Sequence, residues 1–205
     1  MQLNPEYLIT NTAQLRDVIP SPHEKIEQKI KSSLTDEFSA FIARSALVFV
    51  GTVGEDGGVD VSPKGDAPGF VEVVDEKTVL LPDRSGNRLA FGFENLIETG
   101  QISLIFLVHG VRETLRVNGR VQISRDPELC QRCAADGKPA TLVSVISVDE
   151  AFFHCGKALV RAKLWPETAK RPNEESLVHR HFAQDHGVEA QAVADDLEAY
   201  YQDGQ

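Results

Sequence analysis

The chain has 205 residues, 41% of them apolar and 25% charged, with 15 Gly and 10 Pro. That suits one domain of about 100–200 residues with a helical extension, and it excludes collagen-like, coiled-coil and wholly disordered classes. No apolar run approaches the roughly 20 residues of a membrane span, and the opening MQLNPEYLITNTAQLRD has neither the basic start nor the apolar stretch of a secretory signal.

Three Cys are too few for a disulfide scaffold and fit a reducing cytoplasm. The net charge of −10 argues against nucleic acid as a partner. The charge is uneven. Residues 64–120 hold seven basic and eight acidic side chains, against 14 and 23 elsewhere. A local site for a small anion therefore fits inside an acidic protein, as does chance scatter.

In chain order, residues 1–22 carry Pro5, Pro20 and Pro22 and little periodicity, and read as an extended arm. Ser21-Pro22 opens a predicted helix over His23–Ser33. A second is predicted over Asp36–Arg44, with Phe38, Phe41 and Ile42 on one face. The run Ala46–Val53, the turn cluster Gly54–Gly58 and the alternating Val59–Ser62 form a β-hairpin signature. Further strands are predicted at Phe70–Val74, Thr78–Leu81, Gln101–His109 and Glu113–Ser124. Thr141–Val148 and Glu150–His154 read as two strands, or as one with a bend. Helices are predicted at Leu89–Glu98, from Asp126-Pro127 to Ala135, at Gly156–Lys163 and between Glu174 and Tyr201. Strands joined by short turns favour an antiparallel barrel over a doubly wound sheet. The organisation is an N-terminal arm with helices over 1–45, a barrel domain over 46–165 and a C-terminal helical extension over 166–205.

The most informative stretch is Leu81-Pro82-Asp83-Arg84-Ser85-Gly86-Asn87-Arg88. It follows a strand and precedes a helix. Two guanidinium forks, a hydroxyl, an amide and a helix N-terminus suit a phosphate monoester. The plainer reading is a polar loop in which Arg84 pairs with Asp83. Ser62-Pro63-Lys64-Gly65 brings a point charge to a neighbouring strand end, or a solvated lysine. Arg112, Thr114, Arg116, Asn118 and Arg120 share one parity and hence one strand face, while Leu115, Val117, Gly119 and Val121 take the core face. The polar face is either a wet outer surface or the lining of an anionic site.

Cys130-Gln131-Arg132-Cys133 lacks the surroundings of a zinc knuckle or a thioredoxin motif, and reads as buried thiols, with His154 and Cys155 as distant partners for a metal. In His179-Arg180-His181 with Asp185 and His186, no single helix face collects three ligands, which suggests a polar, partly interfacial helix. No metal is expected. Trp165 fills an interface or stacks on a ligand.

The stretches SALVFVGTVGEDGGVDVSPKGDAPGFV, TVLLPDRSGNRLAFGFENLIETGQISLIFLVHGVRETLRVNGRV and FFHCGKALVRAKLW resemble the pyridoxamine 5′-phosphate oxidase-like, FMN-binding split-barrel family over roughly residues 40–165. The resemblance implies a mainly β fold with peripheral helices, a six-stranded antiparallel split barrel. It implies a homodimer with FMN at the interface, and hydride transfer through flavin N5 to or from a small substrate, with a nicotinamide as a possible donor. It implies that Ser62 and Lys64 lie beside the flavin, that Pro82 and Asp83 run along the ring or ribityl part, and that Arg84, Asn87 and Arg88 hold the phosphate and ribityl chain. Thr114 and Arg116 would touch the cofactor edge or its phosphate, and Trp165 would approach from the C-terminal part, across the dimer or within the protomer. Val59 stands where oxidase members carry Arg, Thr114 where they carry Gln, and their C-terminal Arg and His have no clear counterpart. That departure sets a specific pyridoxamine-phosphate oxidation aside and leaves a non-catalytic flavin- or haem-binding protein as the alternative.

Overall fold

The computed structural model describes residues 1–22, 27–165 and 176–202. Seven strands form one antiparallel sheet: β1 (Leu47–Val53), β2 (Val59–Gly65), β3 (Glu72–Asp75), β4 (Thr78–Asp83), β5 (Gln101–Leu107), β6 (Thr114–Ser124) and β7 (Leu142–His154). Their order is β2-β1-β5-β6-β7-β4-β3. This is the antiparallel split barrel, with seven strands where six were expected. The seventh arises because Glu72–Asp75 makes its own short ladder with β4.

Alternation explains the curl. In β6, Leu115, Val117 and Val121 are buried, while Arg116, Asn118 and Arg120 face outward. The inner face joins Val48, Leu104, Phe106, Val79 and Ile146 in one core. Helix α2 (Asp36–Arg44) closes that core with Phe38, Phe41 and Ile42, as its periodicity predicts. Phe38 and Phe41 meet Phe153 edge-on at centroid distances of 5.0 and 5.2 Å, contacts worth about 0.5–1.5 kcal/mol each beyond area burial. Helix α3 (Phe91–Thr99) covers the other end, where Asn95 Nδ2 donates to Thr52 Oγ1.

The two predicted segments of the last strand are one strand with a bulge. Asn118 faces Glu150 but Gly119 faces Val148, so Asp149 is the extra residue. Parity flips there: Ile146 and Val148 point inward before it, Ala151 and Phe153 after it. Glu150, Phe152 and His154 are thereby turned onto the outer face beside Arg116.

Three local expectations are corrected. Residues 1–22 are not simply extended. A 3-10 turn at Pro5–Tyr7 and helix α1 (Thr12–Val18) are capped by Asn4 and Asn11, although every residue there is exposed. The helix predicted over His23–Ser33 lies partly outside the described residues; within them Glu27 is helical, after which the chain turns and Lys31 forms a bridge. Lys31 exchanges both backbone hydrogen bonds with Ala151, covering the edge of β7 beyond the end of β4. Helix α4 (Pro127–Arg132), capped by the Asp126 carboxylate, stops short of Ala135 because the chain turns at Asp136-Gly137.

The C-terminal part forms α5 (Lys157–Arg161), α6 (Leu177–His186) and α7 (Ala190–Gln202), the last two separated by Gly187 at φ +63°. Most of α6 is polar, as expected, but Val178, His181 and Ala183 are drawn into the core. His181 is only 2% exposed, wedged against Phe38 and Phe153. Its Nδ1 lies 3.8 Å from Glu37 and its Nε2 3.5 Å from Asp185, which pairs with Lys31 at 2.8 Å. Burial pushes the imidazole below its ordinary range; Asp185 and Glu37 pull the other way with less effect.

Two predictions follow from this packing. A Cβ at Gly119 would sit 2.1 Å from the Ser147 carbonyl oxygen, so Gly119→Ala should cost about 3 kcal/mol or more in chemical denaturation. Burial holds the His181 imidazole below its ordinary range, so the folded chain takes up that proton less readily than the unfolded chain, which does so around pH 6.5. Stability should therefore fall as pH drops through and below that value, and His181→Gln should flatten this slope in thermal melts.

Candidate functional site

The ends of β2 and β4 meet at one rim of the barrel, although the two strands are far apart in the ladder order. Lys64 Nζ lies 2.8 Å from Asp83 Oδ1, and Arg84 Nε lies 2.8 Å from Asp66 Oδ2. These crossed ion pairs bridge the split. Arg84 thus pairs with Asp66, not with the neighbouring Asp83. A second nitrogen, Nη1, donates to the Cys133 carbonyl at 2.9 Å, leaving Nη2 for a further acceptor. The Ala67 N–H and the Arg84 fork hold the Asp66 carboxyl below its usual range. Lys64 also stands over the Phe93 ring, 5.0 Å from its centroid.

Beyond Arg84, residues Ser85 to Phe91 are all exposed. Arg88 and Ala90 adopt φ +64° and +59°, a left-handed backbone that non-glycine residues rarely take. Asn87 Oδ1 accepts the Leu89 N–H. Ala90 caps α3 without a side-chain hydrogen bond. The first N–H groups of that helix are therefore unclaimed by any side chain, and the loop that leads into them carries Arg84, Ser85 and Arg88. This donor set fits a phosphate monoester.

The remaining expected residues fall elsewhere. Ser62 shares the inner face of β2 with Lys64, through the pairing of Val50 with Ser62 and Val48 with Lys64. Pro82 is buried in β4 opposite Val143, so its ring contacts the ladder. Thr114 and Arg116 occupy the outer face of β6, on the opposite side of the sheet from Lys64. Trp165 Nε1 donates to the Val111 carbonyl at 2.7 Å, and its ring lies 4.9 Å from His109. It sits on the turn between β5 and β6 of its own protomer.

The outer face is an ordered polar network. Ser103 Oγ and Asn118 Oδ1 are 2.6 Å apart, Asn118 Nδ2 donates to Glu150 Oε1 at 2.8 Å, and Arg116 Nη2 donates to the same oxygen at 3.0 Å. Beside it an open groove of about 380 Å³ runs over Gly51, Val59, Ser103, Arg120 and Asp149. Cys130 and Cys133 are buried with Leu80, Ala140 and Val143 on the outer side of β4 and β7, and burial pushes the Cys133 thiol up. This is the inert-thiol reading of the C-x-x-C. Sequence reasoning missed Asp66, whose signal was its place two residues after Lys64, and Lys29 and Phe152, which come together with Arg116 only through tertiary contact.

The family model described as pyridoxamine 5′-phosphate oxidase matches residues 34–155. No curated protein matches. Among solved structures, the chain is similar to a HupZ protein from Group A Streptococcus (19% identity, TM-score 0.48, covering 58% of this chain and 93% of that one). It is similar to a putative pyridoxamine 5′-phosphate oxidase from Lactobacillus delbrueckii (21%, 0.48, 60% and 95%). It is also similar to an FMN-binding protein from Syntrophomonas wolfei (13%, 0.46, 69% and 92%). The assignment rests on the family match, because likenesses at this level carry none. That match runs from just before α2 to the end of β7 and takes in every strand of the sheet, so the chain belongs to the pyridoxamine 5′-phosphate oxidase family, a flavin-binding, oxidoreductase-like class.

Proposed function

We propose that this protein is an FMN-dependent oxidoreductase that acts as a homodimer on a small substrate, with a nicotinamide as electron donor or acceptor. The observation that supports the reading is the exposed loop after Arg84, which carries Arg88 and leads from the barrel rim into the start of α3, where no side chain caps the helix. Arg84, Asn87 and Arg88 are the groups that would hold the phosphate and ribityl chain. Lys64 and Asp83, locked to each other, fix the rim from which that loop departs. Ser62 lines the same inner face. When bound, the flavin supplies hydride transfer at N5. The chain's own contribution is to grip the phosphate, to orient the ring and to keep water from the reacting face.

Two features support the dimer. Thr114 and Arg116 lie on the face opposite Lys64, so a single protomer does not present both sets to one side of the sheet. The outer face also carries unpartnered apolar residues: Val59 is 76%, Val61 64% and Phe49 37% exposed, side by side on β1 and β2. A second copy would cover these and bring an outer face to a rim. Among the described residues no helix is long and apolar enough to cross a membrane, and a cytoplasmic setting is part of the proposal.

The purified protein should show the visible bands of flavin, or gain them with added FMN; a preparation that does neither overturns the reading. Removing both forks in Arg84→Ala/Arg88→Ala should cost about 3 kcal/mol or more of binding, on the order of 100-fold or more in Kd. Bound FMN that neither NADH nor NADPH reduces would favour the non-catalytic alternative. Charging the apolar patch with Val61→Asp should shift the protein from dimer to monomer in sedimentation, with its circular dichroism unchanged.

A further inference from the structure

The bulge at Asp149 sets Phe152 directly opposite Arg116 on the outer face. Three basic side chains gather on that ring. The Arg116 guanidinium lies 4.3 Å and the Lys29 ammonium 5.1 Å from its centroid, and the His154 ring centroid is 4.8 Å away. Among the described residues one carboxylate answers them, that of Glu150. Glu150 Oε1 is shared between Arg116 Nη2 and Asn118 Nδ2. Arg116 Nε is buried with no hydrogen-bond partner. Among the described residues Lys29 has no ion pair; its ammonium rests on the aromatic ring. Cys155, at the end of the strand, is exposed and marks the open side of the cluster.

The geometry points to an anion-binding site formed by Lys29, Arg116 and His154 over Phe152, which takes the carboxylate or phosphate group of the substrate. Two cations converge where the described residues offer a single, already shared carboxylate, so the local field favours an incoming oxyanion. The mutual effects agree. Burial, then Arg116, pushes the Lys29 ammonium below its ordinary range; the Cys155 thiol opposes this. Burial, then Arg116 and Lys29, does the same to His154. A bound oxyanion would relieve the repulsion among all three and offer Lys29 Nζ an oxygen partner in place of the aromatic ring. This site is on the opposite face of the sheet from Lys64, and an anion seated here is not the one gripped by Arg84 and Arg88. That the anion belongs to a substrate rests on the flavin reading above; the site itself does not.

The test reads His154 directly. Its ring signals, assigned with His154→Gln, are followed by proton–carbon NMR on the full chain while inorganic phosphate or acetate is added, with and without FMN. Saturable shifts are expected, with the His154 titration midpoint moving upward on binding, and the stronger of the two anions identifies the substrate group. Lys29→Met, a change at a half-buried side chain, should weaken binding about tenfold or more. Arg84→Ala/Arg88→Ala should lose flavin retention yet keep the anion-induced shift. The site is overturned if neither anion moves His154, if Lys29→Met binds like the parent, or if the double Arg variant abolishes the shift. Loss of flavin binding alone would sink the enzymatic reading and leave this site standing.

Discussion

The structure depends on how an open sheet is brought together at its seam. The ladder order leaves β2 and β3 as edges, and the crossed pairs of Lys64 with Asp83 and of Arg84 with Asp66 join the end of one edge strand to the end of β4. Half-exposed pairs of this kind contribute little energy individually. Their role is positional. They fix where the loop after Arg84 begins, and Arg84 is fixed twice, since it also holds the Cys133 carbonyl of the small outer cluster. The carboxylates balance a rim that would otherwise repel itself, and leave Arg84 Nη2 for an incoming acceptor beside an exposed Arg88.

A second constraint sits on the far side of the sheet. Gly119 and the bulge opposite it decide which side chains of β7 face out. Without the extra residue at Asp149, Glu150, Phe152 and His154 would point into the core and Ala151 and Phe153 outward. The outer network of Ser103, Asn118, Arg116 and Glu150 exists because a single inserted residue reverses parity halfway along one strand.

What was legible in the sequence follows from the range of the interactions. The faces of β6 could be read because strand alternation is local, and so could α2 with its Phe38, Phe41 and Ile42 stripe and the buried thiols of Cys130 and Cys133. The partner of Arg84 could not be read. Asp83 is adjacent, whereas Asp66 arrives only once the barrel curls. The same holds for Lys31, whose segment scores as helical by itself but is held by Ala151 across the sheet. His181 sits in a polar run, His179-Arg180-His181, and no local pattern reveals that α6 lays this one side chain against Phe38 and Phe153. Where the resemblance to split-barrel proteins supplied fold and site together, the fold is present, while the proposed site residues divide between two faces.

That division constrains any mechanism. One positively charged group of residues lies at the rim beside Lys64 and another lies outside around Arg116, with the thickness of the sheet between them. A protomer with net charge −10 concentrates cations in two separate places, which a single phosphate does not require. A flavin has one phosphate at one end and a reactive ring at the other. Gripping the tail at a rim and receiving a second anion on an outer face therefore calls for the two faces to be juxtaposed. A two-fold partner does this if its outer face, carrying Val59 and Val61 into contact, also brings its Arg116 cluster over the rim. On this account the apolar patch is the means by which two half-sites on opposite faces of one sheet become a single cleft, and the cluster over Phe152 selects what enters it.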